Sequence, residues 1–294
     1  MELEIIALDT TRSLTTVTTL TVKKIPFDEL TASLQQVRQH EIRIFYTGNL
    51  PADSVQKWVE NYLLTIQPTL PSRKDVRPLR KTSENELLLV NDKKAVQSQL
   101  YLLINSGIPR NPDKQPNISA FNQYFGSDMS SLVFQEIREF RSLAYSASAR
   151  LFNGSVEGNP AFLSAYIGCQ ADKTYSAMET MTALIHDLPQ KPEQIDIIKK
   201  SLAQSSAMAR PFFRQLGQTV YNWQWNGYEQ DPNIGWVKAY ENLTFDSITD
   251  TWKNYIYQQP ISFAVAGDKK KMKPEQLSTF GTIKELKLSD IRKK

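Results

Sequence analysis

The chain has 294 residues, of which 40% are hydrophobic and 22% charged, enough to bury a substantial core in one large or two ordinary domains. Its 35 basic and 31 acidic residues are interspersed along the chain, which argues against a dedicated nucleic-acid surface, and no stretch approaches the ~20 apolar residues of a membrane span. The lone cysteine, Cys169, excludes an intrachain disulfide and a thiolate metal cluster, and its place in the apolar run 162–169 reads as packing.

The amino terminus reads Met1-Glu2-Leu3-Glu4, without a basic segment ahead of an apolar one, so no export or anchoring signal is expected from the chain as written. The Thr-rich stretch 10–22 offers at most one strand. Residues 27–38 place Leu30, Leu34 and Val37 at helical spacing, 42–46 form a β-rich run ending in Thr47-Gly48, and 52–64 read as a helix behind Pro51. So few elements cannot close a core, and the chain is expected to begin inside a domain. Residues 67–86, with Pro68, Pro71 and Pro78, have linker composition. A boundary near residue 82 follows: 1–82 as the end of a preceding α+β domain plus linker, 83–294 as a complete domain.

The second segment predicts strands at 87–91 and 96–105, helices at 119–124 and 129–140, and strands at 143–151 and 162–170, joined into one antiparallel sheet. Helices follow at 173–187, 192–208, 213–225, 235–243 and 245–257, then a strand at 261–266. Strands gathered in one block with helices on one face give an α+β fold.

The residue inventory limits the chemistry. Zinc hydrolases need two or three imidazoles and a carboxylate on a rigid element, and this chain has only His40 and His186, neither within H-x-x-E-H or H-E-x-x-H. They read as a helix end and a position on an amphipathic helix. No G-x-S-x-G elbow is present, and the loop 154–158 lacks the lysine and the strand-to-helix setting of a phosphate loop, so it reads as a hairpin connection. The aromatic group Tyr221, Trp223, Trp225, Tyr228 and Trp236 reads as helix packing rather than a peptide-binding wall, and Lys269-Lys270-Lys271 as a solvated turn.

The informative region is 121–148, FNQYFGSDMSSLVFQEIREFRSLAYSAS, in which Gly126-Ser127-Asp128 breaks one helix and caps the next. It resembles the pitrilysin/insulinase family of zinc peptidases, which includes mitochondrial processing peptidase. The likeness extends to Ile44-Phe45-Tyr46-Thr47-Gly48, to 96–107, to Tyr166-Ile167-Gly168, to Gln170-Ala171-Asp172-Lys173 and to 263–268, covering the chain from about Asp9 onward. It implies the carboxy-terminal, metal-free half of an enzyme roughly three times longer than this chain. Residues 1 to about 66 would then close a third domain and 83–294 form the fourth.

In that family the zinc sits in the amino-terminal half, so the resemblance implies no cofactor in this chain and no hydrolysis by it alone. An arginine in the helix and a tyrosine seven residues later in the next strand face the zinc site across the cleft, and Arg138 and Tyr145 have that spacing. The arginine would fix a substrate carbonyl and the phenol would stabilise an oxyanion. Arg141 also precedes Tyr145, and Ser142 stands where the family commonly has Gly. The implied partners are the zinc-bearing half, on the same or a separate chain, and an extended peptide, with neither nucleic acid nor membrane. The nearest pattern is that of large exported bacterial members, which implies the periplasm or cell envelope. Two alternatives stay open: a peptidase-like binding or assembly subunit without proteolytic activity, and a free-standing peptide-binding domain.

Overall fold

The structure is a computed structural model that describes residues 25–37, 39–63, 79–154 and 158–287. Contacts sort these into two compact units. One holds the described residues of 79–208 and 232–287; the other holds 25–63 and 209–231. The Thr-rich stretch 10–22 and most of the linker 67–86 lie outside the described residues.

The smaller unit contains helices α1 (Phe27–Val37) and α2 (Ala52–Leu63), as the spacing predicts. The run 42–46, expected as a strand, carries no ladder among the described residues, because a strand needs a hydrogen-bonded neighbour. It is held by rings instead. Phe45 lies 5.8 Å from the ring of Tyr221, and the Arg43 guanidinium sits 4.4 Å above that ring.

The larger unit is built on a six-stranded sheet of β1 (Glu86–Asn91), β2 (Gln97–Pro109), β3 (Ala144–Phe152), β4 (Pro160–Gln170), β5 (Ser262–Gly267) and β6 (Thr282–Leu286), in the order β3-β4-β2-β5-β1-β6. Strands β3, β4, β2 and β5 pair antiparallel, as expected, and the centre of the expected connection 154–158 lies outside the described residues. Strand β1 departs from the expectation, pairing parallel with both β5 and β6. Its run Leu87-Leu88-Leu89-Val90 is buried on both faces, which is the environment a central parallel strand occupies.

Eight further helices complete the described chain: α3 (Gln115–Phe125), α4 (Thr174–His186), α5 (Ile195–Met208), α6 (Leu216–Trp225), α7 (Pro232–Glu241), α8 (Phe245–Tyr255) and the short α9 (Lys269–Met272) and α10 (Pro274–Leu277). Of these, α6 falls in the smaller unit. The lysine run 269–271, expected as a turn, forms α9 because the Asp268 carboxylate accepts from the Lys270 N–H at 3.1 Å and caps it. One face of the sheet carries the main core, in which Leu87, Leu100, Leu102 and Ile104 meet Phe121 and Phe125 of α3, Met178 and Met181 of α4, and Ile248 and Trp252 of α8. Burying each phenylalanine contributes about 2–3 kcal/mol before ordering costs. Helix α8 starts on a capping box between Thr244 and Ser247, and its Trp252 Nε1 donates to the Ile185 carbonyl at 2.7 Å, locking it to α4. Trp236 packs against this core, whereas Tyr221, Trp223, Trp225 and Tyr228 belong to the smaller unit, so the five aromatic residues do not form one wall within a unit.

Candidate functional site

The segment between α3 and β3 departs from regular structure three times within twenty residues. The first departure is at Gly126, where α3 ends. A Cβ there would stand 2.5 Å from the Ala149 carbonyl oxygen and 2.6 Å from its Cβ. Only glycine permits this approach, which lets Ala149 N donate to the Gly126 carbonyl at 3.0 Å. One turn earlier, Asn122 donates from Nδ2 to Leu151 O at 2.9 Å and accepts at Oδ1 from Leu151 N at 2.7 Å. These bonds cover part of the outer edge of β3, a strand that would otherwise present bare backbone.

The next turn is organised by Asp128, whose carboxylate accepts from Ser130 N at 2.8 Å and from Ser130 Oγ at 2.6 Å. The predicted helix 129–140 follows, but 134–139 adopts π-helical winding, marked by the i→i−5 hydrogen bond from Phe140 N to Gln135 O at 2.8 Å. The extra residue in this turn keeps Ile137 buried and leaves Arg138 exposed.

A third departure joins the turn to the strand. Ser142 has φ +48°, the left-handed region that favours glycine. Lys173 Nζ donates to its carbonyl at 3.0 Å. The strand then opens on a bulge: Ala144 lies opposite Cys169 and Ser146 opposite Gly168, so Tyr145 has no partner of its own. Tyr145 and Ser146 consequently both face solvent, and Tyr145 is 80% exposed.

The π-turn and the bulge bring the two predicted residues together. The Arg138 guanidinium lies 4.7 Å from the Phe134 ring centroid and 5.8 Å from that of Tyr145. Its Nε is 3.5 Å from Glu139 Oε1. Arg141, the other arginine before the strand, instead reaches Glu136 at 3.7 Å. Arg138 and Tyr145 thus form an exposed cation and phenol at one end of the sheet, able to hydrogen-bond a ligand from two sides. The pair is singled out by the family resemblance, and neither the π-turn nor the bulge that aligns it leaves a composition signal.

Among the described residues no three His, Cys, Asp or Glu side chains converge on a possible metal position. His186 is exposed at the end of α4 and His40 lies in the smaller unit. Cys169 is buried, with its thiol pushed up to about 11 by that burial, so it offers no ready thiolate. None of the helices among the described residues is long and apolar enough to cross a membrane.

Comparison with known proteins supplies the context. Residues 27–202 match the family described as the peptidase M16 inactive domain. The chain is 23% identical over 218 residues to the "Probable inactive metalloprotease YmfF" of Bacillus subtilis (strain 168), covering 72% of this chain and 49% of that protein. It therefore spans about half the length of this curated relative. Among solved structures, a peptidase M16 inactive domain from Pseudomonas fluorescens matches with a TM-score of 0.62 at 14% identity, covering 85% of this chain and 60% of that one. The periplasmic protease PqqL of Escherichia coli matches with a TM-score of 0.54 at 20% identity over 76% of this chain and 25% of that one.

Proposed function

Because the chain belongs to the peptidase M16 inactive-domain family, the non-catalytic type of this metalloprotease fold, we propose that it closes the peptide-binding cleft of a zinc metallopeptidase. The metal in this reading is held by a companion amino-terminal half. In this reading residues 1–82 belong to a preceding domain and 83–294 to the one after it, although 209–231 group with 25–63 in the structure, and the protein is one of the cell envelope. The match to only a quarter of a periplasmic protease supports a part within a larger enzyme.

The observation that carries the reading is the meeting of Arg138 and Tyr145 across a π-turn and a β-bulge, two irregularities that aim side chains and recur beside functional sites. An extended peptide supplies a row of carbonyl oxygens. Arg138 holds one of them by a charge-assisted hydrogen bond, and the Tyr145 hydroxyl donates to a neighbouring oxygen as negative charge develops there. The walls of the cleft restrict water around both. The chain alone does not cleave peptides.

The test compares peptide cleavage by this chain, by its zinc-bearing companion, and by the assembled pair. Activity confined to the pair, with Tyr145→Phe lowering turnover on the order of tenfold to a thousandfold and leaving KM nearly unchanged, is the expected result. Unchanged turnover in the variant removes the oxyanion role. A second reading, a binding or assembly subunit without proteolytic activity, is favoured by the inactive designation of the Bacillus relative. An assembled pair that binds peptide without cutting it would support that reading.

A further inference from the structure

One end of the six-stranded sheet gathers the chain segments that precede β3, follow β4, join β1 to β2, and follow β5. Register sets them in a row, with Ala144 and Ser98 both opposite Cys169, Gln99 opposite Ala266, and Ala266 opposite Val90. Hydrogen bonds tie the neighbours together. Lys173 reaches the Ser142 carbonyl, Asp92 N donates to Gly267 O at 2.9 Å, and Lys269 N donates to Asn91 Oδ1 at 3.2 Å.

These segments are basic. Two of their lysines are neutralised, Lys269 by Glu285 and Lys271 by Asp268 at 3.7 Å. Lys93, Lys94, Lys270 and Lys273 are exposed and make no ion pair among the described residues. Asp92 and Asp268 are also held by backbone, Asp92 accepting from Lys94 N at 3.0 Å and Asp268 capping α9, and Glu275 lies two residues beyond Lys273. These four lysines and Lys173 outnumber Asp92, Asp172 and Glu275, so a rim of net positive charge runs from Arg138 and Tyr145 across the strand ends to Lys273.

We infer that this rim docks an acidic segment of the peptide substrate. The inference rests on the cleft reading for the ligand being a peptide, and adds its charge class. Four strand-to-strand spacings, from β3 to β1, span about 19 Å, the reach of roughly six extended residues. Acidic side chains within about six residues of the scissile bond thus meet the rim. A polypeptide fits better than a nucleic acid, because Asp92, Asp172 and Asp268 interrupt the lysines and would repel a continuous phosphate backbone, while Tyr145 and Val96, 80% and 76% exposed, offer apolar contact.

The test uses the chain itself and a fluorescent extended peptide of about twelve residues, either Glu-rich or with every Glu replaced by Gln. The Glu peptide is expected to bind at least about tenfold more tightly, and to weaken as salt is raised from about 50 to about 200 mM. Combining Lys93→Glu, Lys94→Glu, Lys270→Glu and Lys273→Glu should cost it about thirtyfold without lowering the melting temperature. Should that combination unfold, the Lys→Gln set carries the same test with a loss of about tenfold. Equal binding of the two peptides, or an unaltered affinity in the combined variant, overturns the inference. So does tighter binding of duplex DNA or phosphatidylserine vesicles than of the Glu peptide, which would assign the rim to phosphates. Charge-selective binding by this chain, together with an assembled pair that does not cleave peptide, would remove the cleft reading alone.

Discussion

Replacing Glu86 by Gln should destabilise the larger unit by about 2–3 kcal/mol at neutral pH. Glu86 opens β1 and is 4% exposed. Its carboxylate accepts from Arg80 Nε at 2.5 Å and Nη2 at 2.7 Å, from Ser262 Oγ at 2.6 Å and from Lys284 Nζ at 3.1 Å. Burial alone would raise its pKa, but the hydrogen bonds from Arg80, Ser262 and Lys284 outweigh it and lower the value from 4.5 to about 2. A difference of that size corresponds to an upper bound of about 3.4 kcal/mol, discounted because the Lys284 side chain is 57% exposed and screened by water. Since the folded-state pKa is depressed, this stabilisation is fully present above about 4.5 and disappears as pH falls towards about 2. Glu86→Gln also leaves the Arg80 guanidinium, 19% exposed, without its anion. Thermal melts followed by circular dichroism should show the variant lower by about 5–10 °C at pH 7, with the gap narrowing between about pH 4.5 and about pH 2. A melting difference under about 1 °C at pH 7, or a gap that stays constant through that range, would refute the reasoning.

Three further outcomes concern the segment between α3 and β3. Gly126→Ala should cost about 2–3 kcal/mol, because the new methyl meets backbone that cannot yield, and hydrogen exchange at the Ala149 amide should accelerate in native conditions. Ser142→Gly should raise stability by up to about 1 kcal/mol by relieving the left-handed φ, partly offset by unfolded-state entropy; a lowered denaturation midpoint would contradict that account. Arg138→Ala should move the melting temperature by less than about 2 °C, since its contacts are solvent-exposed, yet raise KM of the assembled peptidase about tenfold. An unchanged KM would detach Arg138 from substrate binding.

Much of this architecture was legible residue by residue. Gly126-Ser127-Asp128 announced the helix break, and the helix expected at 245–257 is α8. The strand block was read correctly as elements but not wholly as pairing, because alternation does not encode direction. The continuous run Leu87-Leu88-Leu89-Val90 held the missing signal, since a strand without polar alternation is covered on both faces, as β1 is between β5 and β6. The strand expected at 42–46 has no ladder among the described residues, since β propensity at Ile42, Ile44 and Phe45 does not by itself supply a neighbour. At the candidate site, the spacing from Arg138 to Tyr145 was visible, while the i→i−5 bond and the bulge that turn the two side chains towards each other depend on packing around Ile137 and on pairing with β4. No local pattern carries those.

Strand β1 takes both of its sheet neighbours from the far end of the chain, Glu86 pairing with Ser262 and Thr282. On the ribosome, the roughly 170 residues separating it from β5 take about 10–30 seconds to synthesise, and throughout that time the Leu-rich strand has nowhere native to go. The nascent protein therefore carries an uncapped aggregation-prone segment for that interval, and its yield in a cell should depend on chaperone supply and on translation speed more than its finished stability would suggest.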